Sequence, residues 1–431
     1  MHRSCIRRFA LHGAEPARIE RVTTNRCSIL VLTQNSFRDP LFHGPVVSCL
    51  KTLNSAARYA FHVISYEQEQ YRIPANEAAA FDAELGVHAI YRHPLTWGRG
   101  SLLRKAWELL RGFWLAARLR VRHRTVAVFA LANVAGAFAY LIGRALGMKV
   151  IVFTFEPHSE FMAECGVWSR RSLKYQLLRR MERRMGQRAD YILTGTTHMV
   201  ERLRAEGSRA HVLRVPSCVD EDVFDFRPDA RETVRQRLKA AARPIFVYVG
   251  KFGDLYYKDE IAVLCAALRG LVPAAFFLVL TPNPAEEIRT LFRRHGIEEG
   301  DDLHLTYSPI ERVPDWLSAA DMGIVAVPPL PAQRFRSPIK VGEYLDCGLP
   351  YIVCRGVSED DVWAERHGVG VVVEAFTAAA VSREADRIRG LLGEDKDSLR
   401  KRCREAGVAY RGKAIAVTAF GHVFQEVCGA R

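Results

Sequence analysis

The chain has 431 residues, of which 49% are hydrophobic, so it can bury large cores and is long enough for two domains. Its 62 Lys/Arg against 48 Asp/Glu leave a formal net charge of +14, which points to anionic partners: nucleotides, nucleic acid or an anionic membrane surface. Ten cysteines without a CxxC pair or a regular spacing argue against a zinc site or a disulfide scaffold and suit a reducing compartment.

In chain order, residues 1–26 are basic and polar, lack the apolar core of a signal peptide and read as a ragged, poorly ordered start. "CSILVLTQ" (Cys27–Gln34) is a predicted strand, followed by a loop and a helix from about Pro45 to Arg58, then the strand "FHVISYE". After an insertion come two basic helices. "SLLRKAWELLRGFWLAARLRVRHR" (Ser101–Arg124) holds Trp107, Phe113 and Trp114 among its Lys/Arg, and "RRSLKYQLLRRMERRMGQR" spans Arg170–Arg188. Between them, Thr125–Gly143 is uncharged and near the ~20 residues of a membrane span. It reads better as the strand Val126–Ala130, a cap at Asn133 and the helix Val134–Leu146, with "KVIVFTF" as the next strand: one βαβ unit. "ADYILTGT" and "HVLRVPS" add strands before a polar connector. A second series runs through "PIFVYVG", "AAFFLVLTPNP", "LHLTYS", "MGIVAV" and "YIVC", and a last helix covers Gly412 to Cys428. Two open, mostly parallel α/β sheets with helices on both faces follow from this alternation.

Common cofactor signatures are missing. No G-x-G-x-x-G follows a strand and no P-loop or HExxH occurs, which speaks against nicotinamide binding, P-loop chemistry and a zincin. The acidic triplets 220–222 and 359–361 read as solvated loop residues rather than metal ligands. The aromatics of 101–124 recur at helical spacing among Leu and Ala, unlike a base-stacking surface, so an amphipathic helix on an anionic bilayer, or one packed on the first domain, is preferred over nucleic-acid binding.

The segment "RSPIKVGEYLDCGLPYIV" (Arg336–Val353) has Ser337 placed to cap a short helix, Pro338 as its first residue and Gly348 with Pro350 as its stop. A strand-to-helix loop of this kind exposes backbone N–H groups that suit a phosphate, with Lys340 and Glu343 facing whatever binds there. His158, in "FTFEPHSEF", follows a strand end, where open α/β sheets hold ligands. Lys251 and Lys258, in "VYVGKFGDLYYKDE", also follow a strand end, and their charge can neutralise a leaving diphosphate.

The run Val313–Val353 resembles the C-terminal signature of family-four retaining nucleotide-sugar glycosyltransferases of the polysaccharide-biosynthesis type, which have the GT-B fold. "FEPHSEF" is similar to their donor-site histidine loop, "VLRVPSCVDEDVF" to their interdomain crossover and "VYVGKF" to the opening of their second domain, and the likeness extends over Ser28–Glu374. It implies two Rossmann-like domains facing across a cleft: an acceptor domain over 27–225, a nucleotide-sugar domain over 226–410, and a helix, 411–431, crossing back to the first. It also implies His158, Lys251 and Lys258 as catalytic candidates, with His158 touching the transferred sugar and the lysines near the phosphates. Gly44, Ser337, Ile339, Lys340 and Glu343 become donor-binding candidates, Glu343 accepting hydrogen bonds from the ribose. The implied reaction uses a nucleotide diphosphate sugar and a glycan or lipid-linked acceptor, with no cofactor, metal or nucleic acid. It would run in the cytoplasm or at the inner face of the cell membrane, reached through 101–124 and 170–188. An epimerase or hydrolase on the same fold, or a silent sugar- or membrane-binding protein, are the alternatives.

Four departures stand out. The first glutamate of the family's E-x7-E pattern is Phe335, the two lysines are seven rather than five positions apart, Pro216-Ser217-Cys218 replaces a Pro-Asn-Gly turn, and Gly44 stands where a glycine pair is common. The Ser-Pro-x-Lys-x-x-Glu-Tyr form of the motif occurs in subgroups that lack the first glutamate, so its loss reads as subtype.

Overall fold

A computed structural model describes residues 26–39, 42–54, 58–94, 101–253 and 255–429; most of the ragged start, residues 1–25, lies outside the described residues. Two parallel sheets organise the rest. The first contains β1 (Cys27–Thr33), β2 (Tyr59–Glu67), β3 (Val87–Pro94), β4 (Ala127–Leu131), β5 (Lys149–Thr154), β6 (Tyr191–Thr194) and β7 (His211–Arg214) in the order β3-β2-β1-β4-β5-β6-β7. The second contains β8 (Ile245–Val249), β9 (Phe276–Leu280), β10 (Leu303–Thr306), β11 (Met322–Val325), β12 (Tyr351–Cys354) and β13 (Gly370–Val373) in the order β10-β9-β8-β11-β12-β13. Strand order reverses beside β1 and beside β8, so each sheet has the kind of crevice at its strand ends where α/β folds hold ligands.

Two strands were not anticipated. β3 lies in the stretch read as an insertion, because an edge strand with His88 and Arg92 shows no clean apolar period. β13 is a four-residue edge strand hidden among small apolar residues.

The period of two explains both faces of the first sheet. Ile29, Val31, Phe129, Ile151 and Phe153 share one core with Phe420 and Phe424 of the last helix, Lys413–Gly429. Leu30, Leu32, Val128, Ala130, Val150 and Val152 share the other with the helices Ser101–His123, Asn133–Leu146 and Leu173–Arg188. The uncharged run 125–143 is therefore apolar because β4 is covered on both sides, and no described helix is long and apolar enough to cross a membrane. Each Phe of the last helix contributes about 1.5–3 kcal/mol by burial, edge-on to Phe129 at 5.4 and 5.5 Å.

The cysteines depart from their reading as unbonded thiols: Cys27 of β1 and Cys428 of the last helix form a disulfide, with Cα atoms 5.9 Å apart. Their sequence separation is 401 residues, so no spacing rule could pair them.

The acidic triplet 359–361 also departs from a solvated loop. Asp360 is completely buried and forms an ion pair with Arg411, itself completely buried at the end of the helix Lys396–Arg411. Tyr410 donates its hydroxyl to the same carboxylate at 2.9 Å, and the Arg411 guanidinium lies 4.3 Å from the Tyr410 ring centre. Burial pushes the Asp360 pKa up to about 6 although Arg411 and Tyr410 oppose it. An unpaired charge at such depth is costly. Replacing Arg411 by Met is expected to destabilise the protein by about 3–5 kcal/mol, read as a lower denaturant midpoint, and adding Asp360→Asn should recover part of the loss; an unchanged midpoint in the single variant would show the pair to be dispensable.

Candidate functional site

The helix Ile339–Asp346 starts one residue later than its sequence suggests, with Pro338 as its N-cap and no side-chain cap bond. Ser337 is engaged elsewhere: its Oγ accepts from the Ser217 backbone N–H at 3.0 Å and from Arg411. The stop reads as expected, Gly348 adopting φ +74°. Tyr344 fixes the helix to the sheet. Fully buried, its hydroxyl donates to Ile324 O of β11 at 3.1 Å and accepts from Val249 N of β8 at 3.2 Å. Its ring lies over Gly323, where any Cβ would stand 2.4 Å from it. Tyr344 thereby ties the helix, whose first turn has no side-chain cap, to β8 and β11.

Ile339 is half-buried against the second-domain core. Glu343 is buried, with Oε2 2.6 Å from Lys340 Nζ, and the lysine side chain is 32% exposed above it. The pair is not the solvated surface bridge that its i, i+3 spacing alone allows; one partner is inside.

The loop after β8 is pinned rather than floppy. Phe252 N donates to Asn283 Oδ1 at 3.0 Å, Tyr257 N donates to Ala326 O at 3.2 Å, and the Tyr248 hydroxyl donates to Lys251 O. Lys251 is exposed at its start. Lys258, at the other end, pairs with Glu287 at 2.7 Å, and no hydrogen bond or ion pair joins it to Lys251, His158 or Glu343 among the described residues.

On the first domain, His158 begins a short helix directly beyond β5. Its Nδ1 is 2.8 Å from Glu156 Oε1, and Trp168 stands edge-on, with ring centres 5.8 Å apart. Burial alone lowers the His158 pKa, but the Glu156 hydrogen bond and the charges of Glu156 and Glu182 outweigh it and hold it above the usual imidazole value. Glu182, on the helix 173–188, accepts from the Ser159 N–H and hydroxyl; burial pushes its pKa up to about 7. Gly44 falls within a wide helical turn, His43–Ser48.

The segment 331–337 joins the two domains. Ala332 N donates to Glu164 Oε2 at 2.8 Å, Thr196 Oγ1 donates to Phe335 O at 3.3 Å, and a Cβ on Gly195 would meet Ser337 Cβ at 2.7 Å. Glu359 of the second domain accepts from Thr197 N and Arg214 Nε of the first. Phe335, at the missing glutamate's position, packs on the first-domain core 5.1 Å below the Arg202 guanidinium. Arg336 reaches further, stacking 4.7 Å over Phe161 and approaching Glu156 Oε2 at 3.8 Å. His158 and Ser337 thus belong to one junction, linked through Glu156 and Arg336, while Lys258 stands apart. Glu156, Glu182, Trp168 and Arg336 escaped the sequence reading. Only Glu156 left a trace there, as an acidic residue following an apolar strand. Among the described residues, no group of three or more His, Cys, Asp or Glu side chains could hold a metal ion.

Residues 53–218 match the family model described as a glycosyl transferase 4-like domain. No curated protein sequence matches the chain. Among solved structures, sucrose-phosphate synthase from Thermosynechococcus elongatus is similar with a TM-score of 0.69 at 16% identity, over 94% of this chain and 100% of that one. Anabaena Alr3699/HepE, in complex with UDP, is similar with a TM-score of 0.66 at 12% identity, over 93% and 100%. WaaG, a glycosyltransferase involved in lipopolysaccharide biosynthesis, is similar with a TM-score of 0.64 at 14% identity, over 91% and 98%. Residues 53–218 are thus similar to a glycosyl transferase 4-like domain, and the chain as a whole has the GT-B fold.

Proposed function

We propose that the protein is a retaining glycosyltransferase that moves a sugar from a nucleotide diphosphate sugar to a glycan or lipid-linked acceptor without a metal ion. The observation that carries this reading is the buried Glu343 under Lys340, within a helix that has no side-chain cap and follows Ser337, which meets the Ser217 backbone of the first domain. A buried carboxylate with a movable lysine above it suits vicinal ribose hydroxyls, which donate to it, while the lysine turns to the diphosphate. The backbone N–H groups of Ile339 and Lys340 and the charge of Lys251 stabilise the departing diphosphate, joined by Lys258 once it leaves Glu287. His158 contacts the transferred sugar, and the wide turn containing Gly44 borders the donor from the first domain. Solved relatives of this fold described in complex with UDP and with UDP-glucose support a nucleotide sugar as donor. Incubation with labelled nucleotide sugars and analysis of the product's anomeric configuration tests the reading. Transfer with retention supports it, whereas an altered free sugar nucleotide would identify an epimerase, and an unchanged one a silent binder.

The same reading places the acceptor at a membrane surface. On the helix 101–123, Leu103, Trp107, Leu110, Trp114 and Val121 are all more than half exposed, in a stripe flanked by arginines, and Leu173 and Leu177 are exposed on the basic helix 173–188. Aromatic side chains enter a bilayer interface, and each basic residue near an anionic surface adds about 1 kcal/mol. These features suit peripheral attachment at the inner face of the cell membrane.

Three outcomes are expected. Glu343→Ala should weaken donor binding about tenfold to a hundredfold, since hydrogen bonds to a charged group are worth roughly 1.5–3 kcal/mol, and Lys340→Ala should weaken nucleoside diphosphate more than nucleoside; wild-type titrations in both would move the donor site elsewhere. Turnover should survive a chelator, and loss restored by manganese would overturn metal independence. The protein should float with phosphatidylserine vesicles and be released by high salt, and the Trp107→Ser/Trp114→Ser double variant should remain in the pellet.

A further inference from the structure

Glu156 is buried at the carboxyl end of β5, two residues before His158. Its main chain is held from within the domain: Asn133 Nδ2 donates to the Glu156 carbonyl, and the Thr154 hydroxyl donates to Asn133 Oδ1. Asn133 was expected to cap its helix, but the N-cap is Ala132 and the Asn133 side chain serves the Glu156 turn instead. The carboxylate has two further neighbours, neither of them from the core. One is His158 Nδ1 at 2.8 Å, and the other is Arg336 Nε at 3.8 Å, from the opposite domain and one residue before Ser337. A carboxylate accepts hydrogen bonds, so Nδ1 carries a proton and Nε2 is left to accept in the neutral ring or donate in the imidazolium. Nε2 has no hydrogen bond to the described residues.

We propose that Glu156 is a positioning residue: it fixes the ring of His158 with Nε2 toward the transferred sugar, and Arg336 completes this arrangement only when the nucleotide-side domain meets the first. The proposal rests on the reading that His158 touches the sugar. The charged groups facing His158 are Glu156 from its own turn, Glu182 from the helix 173–188 and Arg336 from the joining segment; Trp168 supplies an apolar edge. Charge at the donor-loop side is thereby sensed at the histidine through a single carboxylate.

The test is the 15N resonances of His158, assigned by their loss in His158→Asn, followed against pH in wild type, Glu156→Gln, Glu156→Asp and Arg336→Gln. Wild type should show the Nδ1–H tautomer. Glu156→Gln should lower the titration midpoint by about 1–3 pH units, the usual effect of losing an opposite charge at this range, and Glu156→Asp should recover part of it. Arg336→Gln removes a cation and should move the midpoint the other way. Turnover in Glu156→Gln should fall tenfold or more in kcat with the donor KM within about twofold, its pH profile shifting with the NMR midpoint. An unchanged tautomer and midpoint in a folded Glu156→Gln protein would overturn the proposal. The expected NMR shifts together with normal turnover in His158→Asn would instead overturn the sugar contact on which it rests, leaving the Glu156–His158 bond as structure only.

Discussion

One buried cation stands where both crossings between the domains meet. Arg411 sits where the chain leaves the second domain, and its guanidinium binds Asp360, the Ser337 hydroxyl and the face of Tyr410, while its carbonyl accepts from Val219 of the first crossover at 2.8 Å. One residue, through its carbonyl and its side chain, therefore ties together both passages between domains and the segment that leads into the Glu343 helix. Arginine suits this role because its planar fork makes several bonds in fixed directions and cannot be neutralised. Lysine would offer a point charge and lose the stacking on Tyr410.

The same constraint explains the composition of the joining segment 331–337. Its polar groups find partners on the first domain, at Glu164, Thr196 and Ser217, and Gly195 lets the backbones close together. Phe335 packs partly buried on the first-domain core, with the Arg202 and Arg334 guanidinium groups over its ring. Position 335 here serves the contact between the domains.

Charge is divided in a way that suits two kinds of anion. The helices 101–123 and 173–188 present arginines and exposed apolar residues outward, whereas Lys340 is held over Glu343, Arg336 near Glu156 and Lys258 against Glu287, and Lys251 is exposed. Under the proposed function, the outward basic stripe would meet an extended anionic surface through many weak terms, and the inner lysines would meet one compact diphosphate.

Much of the fold was legible because it follows from periodicities that do not depend on distant residues. The double-sided burial of β4 and β5 makes continuous apolar runs, and the "SPIKVGEYLDCGLP" segment carries its own stop at Gly348, where the backbone needs φ +74°. Contacts were not legible. Ser337 looks like a cap until Ser217 and Arg411, remote in sequence, claim its hydroxyl, and Asn133 looks like a cap until Glu156 does the same. Asp360 looks solvated in its triplet, and Cys27 and Cys428 look unrelated across 401 residues. The sequence by itself determined the two α/β halves, the short helix before Gly348 that carries Lys340 and Glu343, and His158 just beyond a strand end, because local pattern and turn chemistry suffice for these. Only the tertiary structure decided which polar side chain answers which. A buried hydrogen bond or ion pair depends on what is brought within about 3 Å in space, and spacing along the chain carries no record of that.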